Sequence, residues 1–305
     1  MAKKHKSGRD LHGLVVLDKP VGLSSNHALQ RVKRLFNAKK VGHTGTLDPL
    51  ASGVLVLCFG RATKIVEHIM DARKSYYVLA KLGQQTDTGD QEGTVIARHD
   101  VTSEHVNSFN TVAQSFVGDI EQVPPMYSAL KKDGVPLYKL ARQGIDVERT
   151  VRQVHIDAIE VGATDTDHVA MTVGCSKGTY IRTLVEDIGA KLGCLAHVSE
   201  LRRLSVGCFG QQVPMHTLEE LELLAEQSMP SLEQTLLPIE TAFLAHPKFE
   251  MKNALILALE QGVQVKFPAN INNKYIRIYD TNSVFRGLGA KNPQGFVNFS
   301  RFYMS

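Results

Sequence analysis

The segment between residues 40 and 52 most constrains the fold, because it separates two elements whose periodicities are clear. Before it, Ser24 or Ser25 can cap a helix that runs to about Phe36, with apolar residues at helical spacing. After it, the β-branched and Leu-rich run 53–59 predicts a buried strand. The segment itself, KVGHTGTLDPLAS, follows neither period, and its glycines and proline restrict the backbone. We therefore predict an ordered loop that joins a helix to a sheet.

This loop carries one histidine and one carboxylate, His43 and Asp48. An aspartate in such a loop can act in catalysis, or it can form an Asx-type turn in which it caps a neighbouring amide. The loop alone does not separate these alternatives. It does exclude a P-loop, since the order Gly-x-x-x-x-Gly-Lys-Ser/Thr is missing and the carboxylate would repel phosphate.

The rest of the pattern predicts an α+β chain. Strand-like alternation or runs appear at 75–82 and 169–175, and amphipathic helices are indicated over 180–192 and 217–227. These elements do not follow a βαβ rhythm, so we expect a mixed, mainly antiparallel sheet with helices. Residues 241–305 hold a short helix and several short strands, which predicts a small β-rich domain.

Domain limits follow from shifts in composition, and a length of 305 residues suggests two domains. We place them at 11–240 and 241–305, after a basic, flexible arm at 1–10. The segment 124–152 opens with two prolines and is rich in charge, so we expect an exposed, loop-rich insertion. The segment 228–247 contains several prolines and is the best candidate for a linker.

Charge is distributed unevenly along the chain. Residues 1–42 carry 10 Lys and Arg against 2 Asp and Glu, and residues 248–305 carry 8 against 3. Residues 204–247 carry 6 acidic residues and no Lys or Arg. Basic clusters attract polyanions through counterion release, although solvated lysines give the same composition.

Other features exclude further classes of protein. The cysteines (Cys58, Cys175, Cys194 and Cys208) lie far apart, which favours reduced thiols over disulfides or a zinc site. The basic N-terminus is not followed by an apolar segment, so it does not resemble a signal peptide. The uncharged run 49–60 is too short to span a bilayer. We expect a cytoplasmic protein without a membrane segment.

The segment GHTGTLDPLASGVL resembles the catalytic motif of the bacterial tRNA pseudouridine synthases of the TruB family, which modify uridine 55 of the T arm. Further segments resemble family blocks in the same order: KSYYVLAKLGQQTDTGDQEG, PPMYSALKKDGVPLYKLARQGIDVER and CSKGTYIRTLVEDIGAKLGCLAHVSELRRL. The resemblance spans about residues 11–210. Near the C-terminus, VFRGLGAKN is more divergently similar to the PUA-type RNA-binding domain.

This resemblance implies the pseudouridine synthase fold with a PUA-like C-terminal domain, and an isomerase that acts on tRNA. Uridine 55 of the T loop would be flipped out, its N1–C1′ bond cleaved, and the base rejoined through C5. Because the atoms are only rearranged, no cofactor or metal is implied. The expected partner is the T arm of tRNA; no obligatory protein partner is implied, and a monomer is expected.

The resemblance also assigns catalytic roles. Asp48 corresponds to the family's catalytic carboxylate and is expected to be the nucleophile, although a role as a base fits the same residue. Arg182 corresponds to the arginine that pairs with this aspartate. Tyr76 corresponds to the tyrosine that stacks on the uracil and takes part in proton transfer. On the residues alone, Arg182 could equally be a surface arginine, and Tyr77 competes with Tyr76.

Three further residues correspond to substrate-binding positions: His43, Tyr180 and Leu201. Without the resemblance, a lone histidine is more often structural and Leu201 would be ordinary core. Contacts with the RNA backbone are expected from basic residues of the first helix and the insertion, namely Arg31, Lys33, Arg34, Lys131, Lys132 and Arg142, and from the C-terminal domain. The acidic segment 204–247 is expected to face away from RNA.

Two other functions stay open on the sequence. The chain could be a non-catalytic RNA-binding protein or tRNA-folding chaperone that uses the same cleft, or a synthase that acts on another RNA. The presence of Asp48, Tyr76 and Arg182 together favours the enzyme, because a pure binder would not require them.

Overall fold

The computed structural model describes residues 8–301, so most of the predicted basic arm, residues 1–7, lies outside the described residues. Within this range the strands are β1 (Gly13–Lys19), β2 (Val41–His43), β3 (Ser52–Phe59), β4 (Lys74–Leu82), β5 (Gln84–Thr86), β6 (Val95–Arg98), β7 (Gly118–Gln122), β8 (Lys131–Lys132), β9 (Val135–Pro136), β10 (Arg152–Thr164), β11 (His168–Cys175), β12 (Ala196–Val206), β13 (Lys248–Glu250), β14 (Tyr275–Tyr279), β15 (Phe285–Lys291) and β16 (Val297–Arg301). The helices are α1 (Ser25–Leu35), α2 (Val66–Asp71), α3 (Ser103–Gln114), α4 (Leu137–Ala141), α5 (Ile181–Leu192), α6 (Leu218–Gln227), α7 (Met229–Glu233) and α8 (Asn253–Glu260), with 3-10 turns at Gly60–Ile65 and Ile239–Phe243.

The largest sheet formed by the described residues has eight strands. Its order is β1-β3-β12-β4-β11-β10-β7, and β2 pairs with β3. Strand β12 runs parallel to β3, while the other neighbours within this sheet are antiparallel. The expected α+β class with a mixed, mainly antiparallel sheet is therefore confirmed.

Both faces of the first strands are buried, which explains their continuous apolar sequence. On one face, Val15 of β1 and Leu55 of β3 pack in the core that includes residues of α1, α3, α5 and α6. On the other face, Leu14 and Val54 pack against α2, the turn at Ile239–Phe243 and residues of β14 and β15. Any element attached to this part of the sheet is consequently held from two sides.

Helix ends follow the capping residues of the sequence. The Ser24 side chain accepts a hydrogen bond from the His27 amide at the start of α1. Thr102 caps α3 in the same way. Helix α5 ends at Gly193, whose left-handed backbone (φ 81°) is the usual glycine C-cap. The helix boundaries expected near 24–36 and 180–192 are thus confirmed.

The segment 228–247 is packed rather than exposed. Leu232, Ile239 and Phe243 are buried in the two cores that flank the large sheet. Leu237 also exchanges backbone hydrogen bonds with Leu14, at 2.8 and 2.9 Å. The prolines suggested a linker, but the apolar residues between them bind the segment to β1. The domain limits at 240 and 241 stay a prediction.

The C-terminal region is rich in strands, as expected. Its described residues form a four-stranded sheet in the order β13-β14-β15-β16. Met251, Ile256, Ile276 and Val297 belong to a core of its own, which includes residues of α8. Its PUA-like character stays a prediction.

Candidate active site

The loop after α1 holds Asp48 through backbone contacts on both sides of it. The Ser25 hydroxyl accepts a hydrogen bond from the Leu47 amide at 2.7 Å and donates one to the Leu47 carbonyl at 3.0 Å. The Gly22 amide donates to the Pro49 carbonyl at 2.8 Å. Because Leu47 is also buried, the backbone of Asp48 is fixed between two anchored neighbours.

One glycine of this region is required by packing against the neighbouring strand. Gly53, at the start of β3, has a φ of +99°, and a Cβ atom there would lie 2.1 Å from the Arg203 carbonyl oxygen. Only glycine allows β3 and β12 to approach so closely with this backbone. The close approach brings Arg203 beside the loop, where its Nε donates to the Val54 carbonyl at 2.7 Å.

The Asp48 carboxylate pairs with Arg182, whose Nη2 lies 2.9 Å from Asp48 Oδ2. The Arg182 side chain is 4% exposed, which excludes the surface arginine that its sequence position also allowed. It donates further hydrogen bonds to the Thr88 carbonyl at 2.6 Å and to the Tyr127 carbonyl at 2.7 Å. A guanidinium with this many fixed acceptors holds the carboxylate in one orientation.

A second carboxylate stands on the other side of the guanidinium. Asp90 Oδ2 lies 3.5 Å from Nη1 of Arg182, and the Asp90 side chain is 5% exposed. Asp90 Oδ1 in turn accepts hydrogen bonds from the Thr88 hydroxyl at 2.6 Å and the Glu92 amide at 3.1 Å. Sequence reasoning missed Asp90, because it lies in a polar loop, TDTGDQEG, that carries no periodic signal.

Asp48 and Arg182 lie in a cleft of about 910 Å³. Five of the six residues to which the resemblance assigns catalytic or substrate-binding roles line it together: Asp48, Tyr76, Tyr180, Arg182 and Leu201. The sixth, His43, lies at the end of β2, next to the lining residue Thr44 but not in the lining itself. Burial and the nearby Arg203 lower the pKa of His43, which favours a neutral ring.

The position of β4 beside the cleft decides between its two tyrosines. Tyr76 is buried and lines the cleft, whereas Tyr77 is half-buried and is not among the lining residues. Successive strand residues point to opposite faces, so the two cannot share the site. Tyr180 is held by Gln122, whose amide group donates to the Tyr180 carbonyl at 3.2 Å and accepts from its amide at 3.0 Å.

The environment shifts the proton equilibria of the cleft residues. Burial raises the pKa of the Asp48 carboxyl above its ordinary value, and Asp90 adds to this while Arg182 opposes it. Burial also raises the pKa of the Tyr76 hydroxyl, against the pull of Arg203. The tyrosine is consequently a proton donor at neutral pH and not a phenolate.

Two buried cations beside the loop were not anticipated. Arg203 is 1% exposed and lines the cleft, and Lys19 is completely buried. The Lys19 ammonium donates to the Pro20 and Leu23 carbonyls at 2.8 and 2.6 Å. Burial lowers the pKa of Lys19 to about 8, against the attraction of Asp48 and Glu92. The sequence places Lys19 at the end of one predicted strand and Arg203 within another, and only the folded sheet brings both residues near the loop that carries Asp48.

The expected RNA-backbone cations lie outside the cleft lining and differ among themselves. Lys131, Lys132 and Arg142 are exposed on the insertion, as is Arg34 on α1, whereas Lys33 is half-buried. Arg31 is paired, since its Nη2 lies 2.5 Å from Glu222 Oε1. Helix α6 therefore packs beside the basic helix α1, and the expectation that the acidic segment 204–247 faces away from RNA stays a prediction.

The insertion, which was expected to be exposed and rich in loops, also contributes to the cleft. Ser128, Ala129 and Leu130 line the cleft, and the Tyr127 carbonyl is one of the acceptors of Arg182. The β8–β9 hairpin and α4 follow directly. The insertion thus helps to hold Arg182 in place, in addition to carrying cations that are expected to contact RNA.

Metal-binding and membrane-spanning features were also assessed over residues 8–301. In that range, His, Cys, Asp and Glu side chains do not gather in groups of three or more that could hold a metal ion. Nor does any described helix combine the length and apolar character needed to cross a membrane.

Comparisons with known proteins show the family to which the chain belongs. Residues 33–181 match the N-terminal domain of the TruB family pseudouridylate synthases, and residues 182–244 match the C-terminal domain of tRNA pseudouridylate synthase B. The tRNA pseudouridine synthase B of Nitrosococcus oceani is 46% identical over 298 residues, covering 98% of this chain and 96% of that protein. The protein of the same name from Pseudomonas fluorescens is also 46% identical, covering 97% of each chain.

A solved structure supports the same relationship. A chain in the crystal structure of a Cbf5-Nop10-Gar1 complex is 28% identical to this one, with a TM-score of 0.74. The match covers 96% of this chain and 85% of that chain. The fold expected from the loop motif is therefore shared by a solved protein.

Proposed function

Because the chain belongs to the TruB family of pseudouridylate synthases, we propose that it converts uridine 55 in the T loop of tRNA to pseudouridine. The observation that carries this proposal is the Asp48–Arg182 pair, 2.9 Å apart in a cleft lined by Tyr76, Tyr180 and Leu201. A carboxylate, one aromatic face and one apolar wall are the groups that an extruded pyrimidine nucleotide needs.

The reaction begins with extrusion of the uridine from its loop. Unstacking a base costs a few kcal/mol, and the pocket offsets this by burying the base against flat or apolar side chains. Tyr76 would stack on the uracil, and Tyr180 and Leu201 would form the remaining walls. His43, beside the cleft, would act near the vacated position in the RNA loop.

Asp48 would then attack the substrate as a nucleophile, and the covalent bond that its carboxylate forms would be broken again before the product leaves, which restores the free carboxylate. The N1–C1′ bond breaks, the uracil turns, and a C5–C1′ bond forms while the proton on C5 is lost and N1 gains one. Arg182 would hold the carboxylate in its attacking orientation throughout, because it is fixed by the Thr88 and Tyr127 carbonyls. The protonated Tyr76 hydroxyl would take part in the proton transfers. No atom is gained or lost overall, so this chemistry requires no cofactor.

Affinity for tRNA would come from exposed cations rather than from the cleft floor, which is the charged group formed by Asp48, Asp90 and Arg182. Lys131, Lys132 and Arg142 of the insertion and Arg34 of α1 are the candidates, together with the basic C-terminal domain. We assign the same role to Lys33, which is half-buried, and to Arg31, which is paired with Glu222. We also propose that one chain acts as a monomer, in the cytoplasm and without a protein partner.

The experiment is to incubate the protein with an unmodified tRNA transcript and map pseudouridine along it. The expected product is a single pseudouridine at position 55, and a transcript with cytidine at position 55 should remain unmodified. The Asp48→Asn protein, prepared in the same way, controls for a contaminating synthase. A tRNA without pseudouridine in the T loop, or pseudouridine formed elsewhere, would contradict the proposal.

A further inference from the structure

One ion pair joins the two walls of the cleft at its entrance. Lys177, in the turn between β11 and α5, places its Nζ 2.7 Å from Oδ1 of Asp71, the last residue of α2. Both residues line the cleft, and their side chains are 64% and 61% exposed. The pair thus lies at the solvent-facing end of the cleft and is more exposed than the Asp48–Arg182 pair, whose side chains are 36% and 4% exposed.

Hydrogen bonds of the neighbouring residues hold the backbone at Lys177 in place, although its side chain is exposed. The Thr179 hydroxyl donates to the Ser176 carbonyl at 3.0 Å across the turn. The Ser176 hydroxyl accepts from the His155 amide at 2.9 Å, and the Ser176 amide donates to the His155 carbonyl at 2.8 Å. Lys177 therefore projects from a turn that is tied to β10.

Helix stability does not explain Asp71. A carboxylate at the C-terminal end of a helix opposes the helix dipole, so this residue type is unfavourable there without a cation. The Lys74 ammonium already donates to the Met70 and Ala72 carbonyls at this helix end, at 2.5 and 2.6 Å. Lys74 attracts Asp71 through its charge, but the ion pair of Asp71 is with Lys177.

A flipped nucleotide stays connected to its RNA chain, so the phosphates on either side of it must pass the cleft entrance. An exposed ammonium there attracts a phosphate, and an exposed carboxylate repels it. Ion pairs between exposed side chains are weak, and a phosphate can therefore replace one partner. Resting on the proposed function, we infer that Lys177 binds the backbone phosphate next to the flipped uridine, and that Asp71 holds it in place and competes with the RNA for it.

This proposal predicts opposite effects for the two partners. Lys177→Ala removes a phosphate contact, so it should weaken binding of a T-arm stem-loop about three- to tenfold at moderate salt and reduce the salt dependence of log Kd by about one. Asp71→Asn removes the competitor, so it should tighten binding about two- to threefold. Lys177→Arg keeps the charge and should bind within about twofold of the unmodified protein.

The chain offers a matched control pair. Lys81 Nζ lies 2.7 Å from Asp167 Oδ2, the same separation, but neither residue lines this cleft. Lys81→Ala and Asp167→Asn should leave the affinity for the stem-loop unchanged. Thermal unfolding of each variant shows whether it is folded before its affinity is compared.

Fluorescence anisotropy of the labelled stem-loop at several salt concentrations measures these affinities. Weaker binding by Lys177→Ala together with tighter binding by Asp71→Asn supports the inference. Any other combination overturns it, because the pair then does not combine a phosphate contact with its competitor. Pseudouridine mapping with the unmodified protein runs in parallel. Product at uridine 55 with equal effects of the two variants contradicts the phosphate contact alone, whereas absence of product contradicts the proposed function.

Discussion

The charged residues of the cleft floor and those of the outer surface differ in burial and in the number of their partners. Arg182 and Asp90 are nearly inaccessible, and each has several fixed partners. Lys131 and Lys132 are exposed on a two-strand hairpin. A buried charge is tolerated only with compensating partners, whereas an exposed cation acts on a polyanion through screened attraction. The floor should therefore control the rate of the reaction, and the surface should control the affinity for tRNA.

The largest effect is expected at Arg182. In Arg182→Lys, a single ammonium cannot reach Asp48, Asp90 and the two backbone carbonyls that the guanidinium serves. The single-turnover rate of pseudouridine formation should fall about 10²–10³-fold. The dissociation constant for tRNA should change little, because Arg182 is not a surface cation. Equal losses in rate and affinity would mean that floor and surface are not separate in function.

The fall in rate on the acid side of the pH–rate profile should report the protonation of Asp48 in the cleft floor. Protonation removes the negative charge that Asp48 needs in its proposed role as nucleophile, so the rate at saturating tRNA should fall as pH drops through the pKa of this carboxyl. Burial raises that pKa, so the fall should begin at higher pH than for an ordinary aspartate, about 3.9. Below the pKa, the rate should drop about tenfold per pH unit.

The matching measurement is the affinity for tRNA over the same pH range. Tyrosine and lysine side chains keep their protons under these conditions, so binding should not follow the acid limb of the rate. A rate that stays constant down to the pKa of an ordinary aspartate would show that Asp48 is less desolvated than its position in the cleft indicates.

A smaller effect, confined to affinity, is expected on the surface. The Lys131→Ala/Lys132→Ala double variant should weaken tRNA binding several-fold and reduce the salt dependence of log Kd by up to about two. The single-turnover rate at saturating tRNA should stay within about twofold of the unmodified protein. Anisotropy titrations at several salt concentrations check this, and an unchanged salt dependence would remove the hairpin from the RNA interface.

The smallest effect is expected at Arg31. Its guanidinium is already paired with Glu222, so Arg31→Ala should change tRNA affinity less than Arg34→Ala, which removes an exposed cation from the same helix. Arg31→Ala should instead lower the free energy of unfolding by about 0.2–1 kcal/mol, because it removes the ion pair. Denaturant unfolding and binding measured on both variants separate these outcomes. A larger loss of affinity for Arg31→Ala would mean that RNA displaces Glu222.

Local sequence signals predicted the elements that support the site. Ser24 marked the start of α1 correctly, the period over 180–192 predicted α5, and the alternation in β4 showed that Tyr76 and Tyr77 lie on opposite faces. The alternation could not tell which face borders the cleft, because that depends on the position of β4 between β12 and β11. The family resemblance supplied that choice, and the lining of the cleft agrees with it.

Long-range pairings could not be predicted from local patterns. Asp90 and Lys19 belong to segments far from Asp48 in the chain, and their sequence context is an ordinary polar loop and an ordinary strand end. Arg31 was read as a free cation because helical periodicity does not show that an acidic helix packs against it. Prolines in 228–247 suggested a linker, whereas the buried Ile239 and Phe243 attach this segment to the sheet.

The most direct test measures rate and affinity together on one floor variant and one surface variant. Asp48→Asn should form no detectable pseudouridine in a single turnover while binding tRNA within about threefold of the unmodified protein. The Lys131→Ala/Lys132→Ala variant should show the reverse, with weaker binding and an unchanged rate at saturation. Pseudouridine formed by Asp48→Asn, or a surface variant whose saturating rate falls as far as its affinity, would contradict the division between a catalytic floor and a binding surface.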